Sequence, residues 1–424
     1  MPRLRALLAD TRPLQVPEYR RLFNAQIITV IGAQLTIVTV PAQIYAITGS
    51  SAYVGLTGLF GLVPLVVFGL YGGSLADHFD RRRLLTLTTS GLIITSGLLC
   101  LQAALGNENV WLLLGIFSLQ QACFAVNQPT RSAVLPRIMP ARLLPAANAL
   151  NMTVFTGGAI AGPLVGGALI PVLGFSWLYL VDTIFLFATL RAVLLLPPLP
   201  VEAVAGSSPG LRSVIDGFVY LGTQPVLLMS FVVDLIAMVC GMPRALIPEM
   251  ADVNFGGPAG GGLAFAVLYA AMPAGSFLGG VFSGWVSRVE LQGRAVAAAI
   301  VVWGAAIIGF GAAVGLADGS ALPWLWVAAV FFALGGAADA ASAAFRSTML
   351  QSAATDAMRG RLQGVFIVVV AGGPRLADVL HGLVAAPFGT VTTTIGGGAL
   401  VVLGTLLAIR LVPAFVRYRV PRAA

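Results

Sequence analysis

Lysine is absent from this sequence, and charge of either sign is scarce: Asp, Glu, Lys and Arg together make up 9% of 424 residues. A soluble domain covers itself with about 25% charged residues, so an ordinary water-exposed globule is excluded. Histidine is nearly missing too. His78 and His381 are the only two and stand in unrelated segments, which leaves no His-Glu-x-x-His pair on which to build an intramembrane hydrolase. Cys100, Cys123 and Cys240 fall inside apolar runs at unrelated spacings. They read as small buried apolar residues, with neither a disulfide frame nor a zinc site in their pattern. No enzyme activity, metal or cofactor is therefore expected. Nor is a cleavable leader, since Met1 to Val16 carries three Arg residues and no continuous apolar core; the first span serves as its own insertion signal.

What the chain has in quantity is apolar length. Hydrophobic residues make up 58%, glycines number 50 and the mean hydropathy is +0.94. Crossing a hydrocarbon core of about 30 Å takes roughly 20 apolar residues. Twelve such runs lie near 22–46, 53–76, 84–105, 110–133, 149–170, 175–196, 226–249, 261–284, 295–316, 322–345, 362–386 and 390–411. The expected fold is an all-α polytopic membrane protein of twelve transmembrane helices. A net charge of +8 would suggest nucleic acid for a soluble protein, but here the position of each charge points to a lipid bilayer. All 24 basic residues are Arg; 22 lie on one side of this topology or at span ends facing it, and Arg244 and Arg375 lie within spans. That bias places both termini in the cytoplasm.

Pro197-Pro198 closes the sixth span, a Pro/Ser/Gly-rich stretch follows to Gly210, and Arg212 to Gly222 reads as a short surface helix. This linker, 197–224, separates an N-terminal six-helix bundle (1–196) from a C-terminal one (225–424).

The chain is organised around the stretch from Gly72 to Arg83, where five charges occupy the seven positions 77–83 between two long apolar runs. A loop that only stops transfer would need nothing beyond a basic cluster. This one has Gly73, Asp77, Arg81 and Arg82 in the pattern Gly-x-x-x-Asp-x-x-x-Arg-Arg, with Asp77 and Arg81 set to pair across a tight turn. The fifth span carries Gly158, Gly162, Pro163, Gly166 and Gly167; glycines at four-residue spacing make a flat face for close helix packing, and Pro163 removes a backbone hydrogen bond. Gly280 and Arg288 repeat the step from Gly73 to Arg81 in the second half, where Gly284 stands in place of the acid.

Ionisable groups inside a membrane are functional candidates, because each costs roughly 2.5–3.5 kcal/mol on insertion scales. Here they are Asp182, Asp234, Arg244, Asp339, Arg375, Asp378 and His381. Asp234 and Arg244 are ten residues apart, too far to pair along one straight helix. Arg375, Asp378 and His381 lie roughly along one helix face after Gly372-Gly373-Pro374, as a static ion pair or as part of a proton path through Asp234 or Asp378. Asp339 stands two turns before Arg346 on one face, where it can equally anchor its helix end. The first span holds an unusual polar row with Gln34 near its centre, and the fourth holds Gln120 and Gln121. Such amides need partners or a water-filled cavity. Gln34, Gln120, Gln121 and Asp234 are the expected substrate-lining residues.

The 72–83 loop and the Gly158–Gly167 face resemble the signature loop and the antiporter motif of the major facilitator superfamily. Pro17-Glu18-Tyr19-Arg20-Arg21-Leu22-Phe23, the stretch from Asn127 to Pro136 with Leu144 to Leu150, and the stretch from Asp339 to Gln351 running into Asp356 to Arg361 narrow the resemblance to its enterobactin-exporter and macrolide-efflux branch. The resemblance covers nearly the whole chain. It implies two bundles rocking around a midplane site, with 72–83 as conformational latch and Gly158–Gly167 controlling the bend of its helix; the residues expected to couple protons, from their place as charges within spans, are Asp234, Asp378 and Arg375. The implied activity is proton-driven efflux of a small amphipathic drug or siderophore by a monomer in the bacterial cytoplasmic membrane. A lysophospholipid flippase or a solute importer of the same fold is the alternative. One departure is plain: the fourth span has Gly115-Ile-Phe-Ser-Leu-Gln120-Gln121 where other drug antiporters have Arg-x-x-Gln-Gly, so their proton relay cannot be carried over.

Overall fold

The computed structural model describes residues 10–198, 218–317, 322–353 and 356–419. Every regular element among them is helical. In chain order the long helices are α1 Pro17–Thr48, α2 Ser51–His78, α3 Arg81–Ala104 and α4 Val110–Ile138. A run from Leu144 to Leu194 then breaks at Gly174, whose φ of 76° and ψ of 170° no helix contains; we treat its two parts, 144–173 and 175–194, as α5 and α6. The second half supplies α7 Pro225–Cys240, α8 Gly262–Val281, α9 Gln292–Gly315, α10 Leu322–Ala353, α11 Asp356–Phe388 and α12 Thr390–Leu411. Ten described helices are long and apolar enough to cross a membrane, with α5 and α6 counted as one. Eleven of the twelve predicted spans fall in these helices to within three residues at either end, and the seventh does so only over its first part. Of the predicted linker, 199–217 lies outside the described residues, and 218–222 is helical.

Sequence chemistry accounts for where the helices begin and end. The Asp80 side chain accepts from the Arg83 backbone N–H and starts α3, and Asn109 does the same for Trp111 and Leu112 at the start of α4. Gly49, at φ 61°, takes the left-handed conformation that ends α1. Inside the helices, the hydroxyls of Thr39, Thr88, Thr130 and Thr405 donate to carbonyls one turn back, so these polar groups are satisfied without water. On α12, Leu400, Leu403 and Leu407 are exposed while Val401, Thr405 and Ala408 are buried. That outward apolar stripe suits hydrocarbon and would be a liability in water.

The seventh span differs from its expected form. Instead of one helix over 226–249, α7 stops at Cys240, and a 3₁₀ turn (Arg244–Leu246), a single α-turn (Ile247–Glu249) and a π-turn (Met250–Asn254) follow. Pro243 is the reason: it lacks a donor and drives Met242 out of the helical region.

The described residues form two compact units. One holds the chain up to Val40 and from Val63 to the linker; the other holds Pro41–Leu62 and everything after the linker. α1 and α2 each pass from one unit to the other beside an internal proline, Pro41 and Pro64. In the first unit α3 packs on α4 and on the α5–α6 run; in the second α10 packs on α8 and α9, and α9 on α12. Gly304 and Gly398 let α9 and α12 meet at backbone distance: a methyl on either would lie within 2.8 Å of the other's carbonyl oxygen.

Candidate functional site

In the first unit the glycine face of α5 is filled by α1. Gly158, Gly162, Pro163, Gly166 and Gly167 are all buried. A methyl on Gly158 would strike Val30, one on Gly162 would strike Gln34, and one on Gly166 would lie 2.8 Å from Val38. α1 thus meets the glycines through residues spaced by four, its own ridge against the flat face. Gln34, predicted to line a substrate path, is 8% exposed with its aliphatic stem under Gly162. Gln120 and Gln121 are likewise buried in α4.

Gly73 and Asp77 lie in the last turns of α2, outside the residues whose side chains are described. Their predicted companions are clear. Arg81 donates through Nη1 to the Ala133 carbonyl at 3.1 Å, and Arg82 through Nη2 to the Leu194 carbonyl at 2.6 Å. Both acceptors lie near helix C-terminal ends, where a cation is favoured. Arg131 reaches the Leu22 carbonyl at 3.2 Å and Gln26 Oε1 at 3.1 Å, tying α4 to α1.

The second unit holds two ionic clusters. Asp234 of α7, fully buried, is ion-paired through Oδ2 with Nη1 of Arg346 on α10. The Arg346 guanidinium is 4% exposed; its Nη2 stands 4.0 Å from Asp339 Oδ1, and its Nε donates to Ser342 Oγ at 3.2 Å. Two carboxyls therefore share one cation, Asp234 buried with it and Asp339 24% exposed. Sequence spacing put Asp339 and Arg346 on one face but missed that Arg346 serves Asp234. Those two are 112 positions apart, a distance at which periodicity carries no information.

The other cluster gathers around α11. Arg244, freed from the helix by Pro243, donates through Nη2 to Asp378 Oδ2 at 2.5 Å. The proposed ladder of Arg375, Asp378 and His381 is thus shared among neighbours: Asp378 turns to Arg244, and His381 places Nδ1 3.0 Å from the Ala377 carbonyl and Nε2 3.0 Å from the Cys240 carbonyl left open at the end of α7. Arg375 lies over α2, where a methyl on Gly61 would strike its guanidinium and one on Gly58 its backbone carbonyl. Gly55 completes the contact; its methyl would stand 2.6 Å from the Asp378 carbonyl. These three glycines went unnoticed in the sequence, although their every-third spacing in the second span was a readable signal.

The arrangement matches a known family. Residues 9–418 match the transmembrane secretion effector family, MFS_3. The enterobactin exporter EntS of Shigella boydii serotype 18 is 29% identical over 398 residues, covering 93% of this chain and 92% of that protein. EntS of Escherichia coli O157:H7 is 28% identical over the same span. Among solved structures, a variant of the nucleoside transporter NupG superposes with a TM-score of 0.75 at 12% identity, over 93% of this chain and 99% of that one. A variant of the peptide transporter POT does so with 0.75 at 13%, over 94% and 95%. Those two likenesses are of fold alone. A facilitator-type fold and a family match over nearly its full length together show that the chain belongs to the transmembrane secretion effector family of the major facilitator superfamily, a family of secondary transporters and not of enzymes.

Proposed function

We propose that this transporter is a proton-driven exporter of a small amphipathic compound of the siderophore or macrolide kind, working by alternating access in the bacterial cytoplasmic membrane with both termini cytoplasmic. The observation that carries the coupling is the trio of Asp234, Arg346 and Asp339, in which Asp234 and Arg346 are buried. One guanidinium cannot neutralise two carboxylates, and Asp234, its side chain 1% exposed, has no water to face when the cation turns to Asp339. A proton taken up by Asp234 cancels the surplus and releases Arg346 toward Asp339, a shift its 4.0 Å separation already prepares. Loss of that proton returns Arg346 to Asp234. Two pairings of one cation make a two-state element, and a proton entering down the membrane potential supplies about 2.3 kcal/mol per 100 mV to bias it. Arg244, Asp378 and Arg375 act as a second ionic contact, on the α2 glycines. The direction of transport and the substrate class rest on likeness to the enterobactin exporters.

The test is proton flux in proteoliposomes under an imposed pH gradient, on addition of enterobactin, other siderophores and macrolides. Wild-type protein is expected to show substrate-evoked proton movement, and Asp234→Asn to lose it while still binding substrate. Substrate movement with no proton flux in the wild type would remove the proton from the mechanism. Substrate accumulation in place of depletion would reverse the direction.

A further inference from the structure

The first unit contains a carboxyl for which the foregoing mechanism has no use. Asp182, on α6, is 2% exposed. Its Oδ2 accepts hydrogen bonds from Thr36 Oγ1 of α1 at 2.7 Å and from Ser96 Oγ of α3 at 3.0 Å. Its Oδ1 is buried with no hydrogen-bond partner, and it faces the backbone of Gly32 on α1, where a methyl would stand 2.6 Å away. Thr183 Oγ1 backs the group, 3.0 Å from Ser96 Oγ and 2.8 Å from the Tyr179 carbonyl.

No cation answers this acid. The titratable groups on α6 are Tyr179, beside it, and Arg191, nine residues on and exposed; on α3 there is Cys100, one turn beyond Ser96, and then nothing back to Arg83; α1 has none between Arg21 and Tyr45. At 1.5 Å per residue these arginines are roughly 13–20 Å away along their helices. A buried carboxylate without a counter-charge is strongly disfavoured. Thr36 Oγ1 and Ser96 Oγ both sit at hydrogen-bond distance from Oδ2, and Thr183 Oγ1 at that distance from Ser96 Oγ, so these hydroxyls are already engaged. A proton is the cation that fits.

We propose that Asp182 is a second proton-carrying site of this transporter, and that its occupancy is linked to the seating of α1. When the proton leaves Oδ1 for water, the carboxylate needs donors on that oxygen, and the backbone of Gly32 stands where they would have to come. α1 must then part from α6. Gly32 and Thr36 lie on one face of α1, while Val30, Gln34 and Val38 lie on the face seated against the α5 glycines, about 200° around the helix. Releasing one face therefore loads the other, and α1 carries the protonation of Asp182 to the glycine face. This inference rests on the proton-driven reading.

Infrared difference spectroscopy of the full-length protein in liposomes tests it. The wild type is expected to show the carbonyl stretch of an un-ionised carboxylic acid that Asp182→Asn removes. Thr36→Val, which takes one donor from Oδ2, should move that same band to higher frequency, and this readout stands even if the Asp182 variant folds poorly. Spin labels at Asn24→Cys and Arg191→Cys, both exposed, with the three native cysteines replaced, then report the α1–α6 distance. It should change over the pH range in which the band is lost, and stay constant in Asp182→Asn. A band unaffected by both substitutions, or an α1–α6 distance that ignores its titration, overturns the proposal. The proton-driven reading fails differently, by substrate movement without proton flux in the wild type. Asp182 alone fails if the wild type moves protons and Asp182→Asn moves as many per substrate.

Discussion

Arg346 stands between two carboxylates, and its removal separates structural from functional cost. Arg346→Gln strands Asp234 in a fully buried position with no cation, a change worth about 3–5 kcal/mol of destabilisation. Adding Asp234→Asn removes the stranded charge. The double variant is therefore expected to be more stable than Arg346→Gln alone in thermal unfolding in detergent, though equally uncoupled in transport. Equal melting temperatures for the two would show that Asp234 and Arg346 do not depend on each other. Of this trio, Asp234 was legible in the sequence as an acid near the middle of an apolar span, and Asp339 and Arg346 as a same-face pair. Their meeting was not, because contacts between helices leave no mark in either helix's own period.

At the scale of elements, the glycines of α5 give a comparison within one helix. Gly157 faces open space, with nothing within 4 Å of an added methyl, whereas its neighbour Gly158 and the next glycine a turn on, Gly162, would drive a methyl into Val30 and Gln34. Gly157→Ala is expected to be neutral in stability and transport. Gly158→Ala and Gly162→Ala are expected to lose about 1–3 kcal/mol by overpacking and to slow transport, as read by unfolding in detergent and by substrate flux in proteoliposomes. A uniform response across all three would mean that glycine acts here through helix propensity and not through contact. The four-residue repeat announced a packing face from the sequence; that α1 fills it, with the stem of Gln34 under Gly162, required the structure. Gln34 shows why: an amide in an apolar span can serve a cavity or a helix contact, and its neighbours in sequence are the same in both cases.

For the whole molecule, orientation is the property that arginine distribution decides. The C-terminal end carries Arg410 in the last turn of α12 and Arg417, Arg419 and Arg422 after it, and such clusters resist translocation. A fluorescent protein fused after Ala424 is expected to fold and fluoresce, and a secreted phosphatase fused there to remain inactive. The reverse result would invert the topology and with it the direction assigned to transport.

The number of apolar runs, the position of every span but the seventh, the breaks at Gly49 and Gly174, the glycine face and the arginine bias were determined by the sequence itself. Each arises from local terms: the apolar length needed to cross hydrocarbon, the backbone freedom of glycine, and the cost of moving a guanidinium through lipid. Which helices those faces meet was decided only by the tertiary structure. Pro243 ends α7 locally, yet that the break delivers Arg244 to Asp378 and opens the Cys240 carbonyl to His381 depends on where α11 lies. Likewise Asp182 is in sequence one acid among apolar residues. Its meaning comes from Gly32, Thr36 and Ser96, which only packing brings to it. Charge pairing and close contact fall off within a few ångströms, so they belong to the folded arrangement and not to the order of residues along the chain.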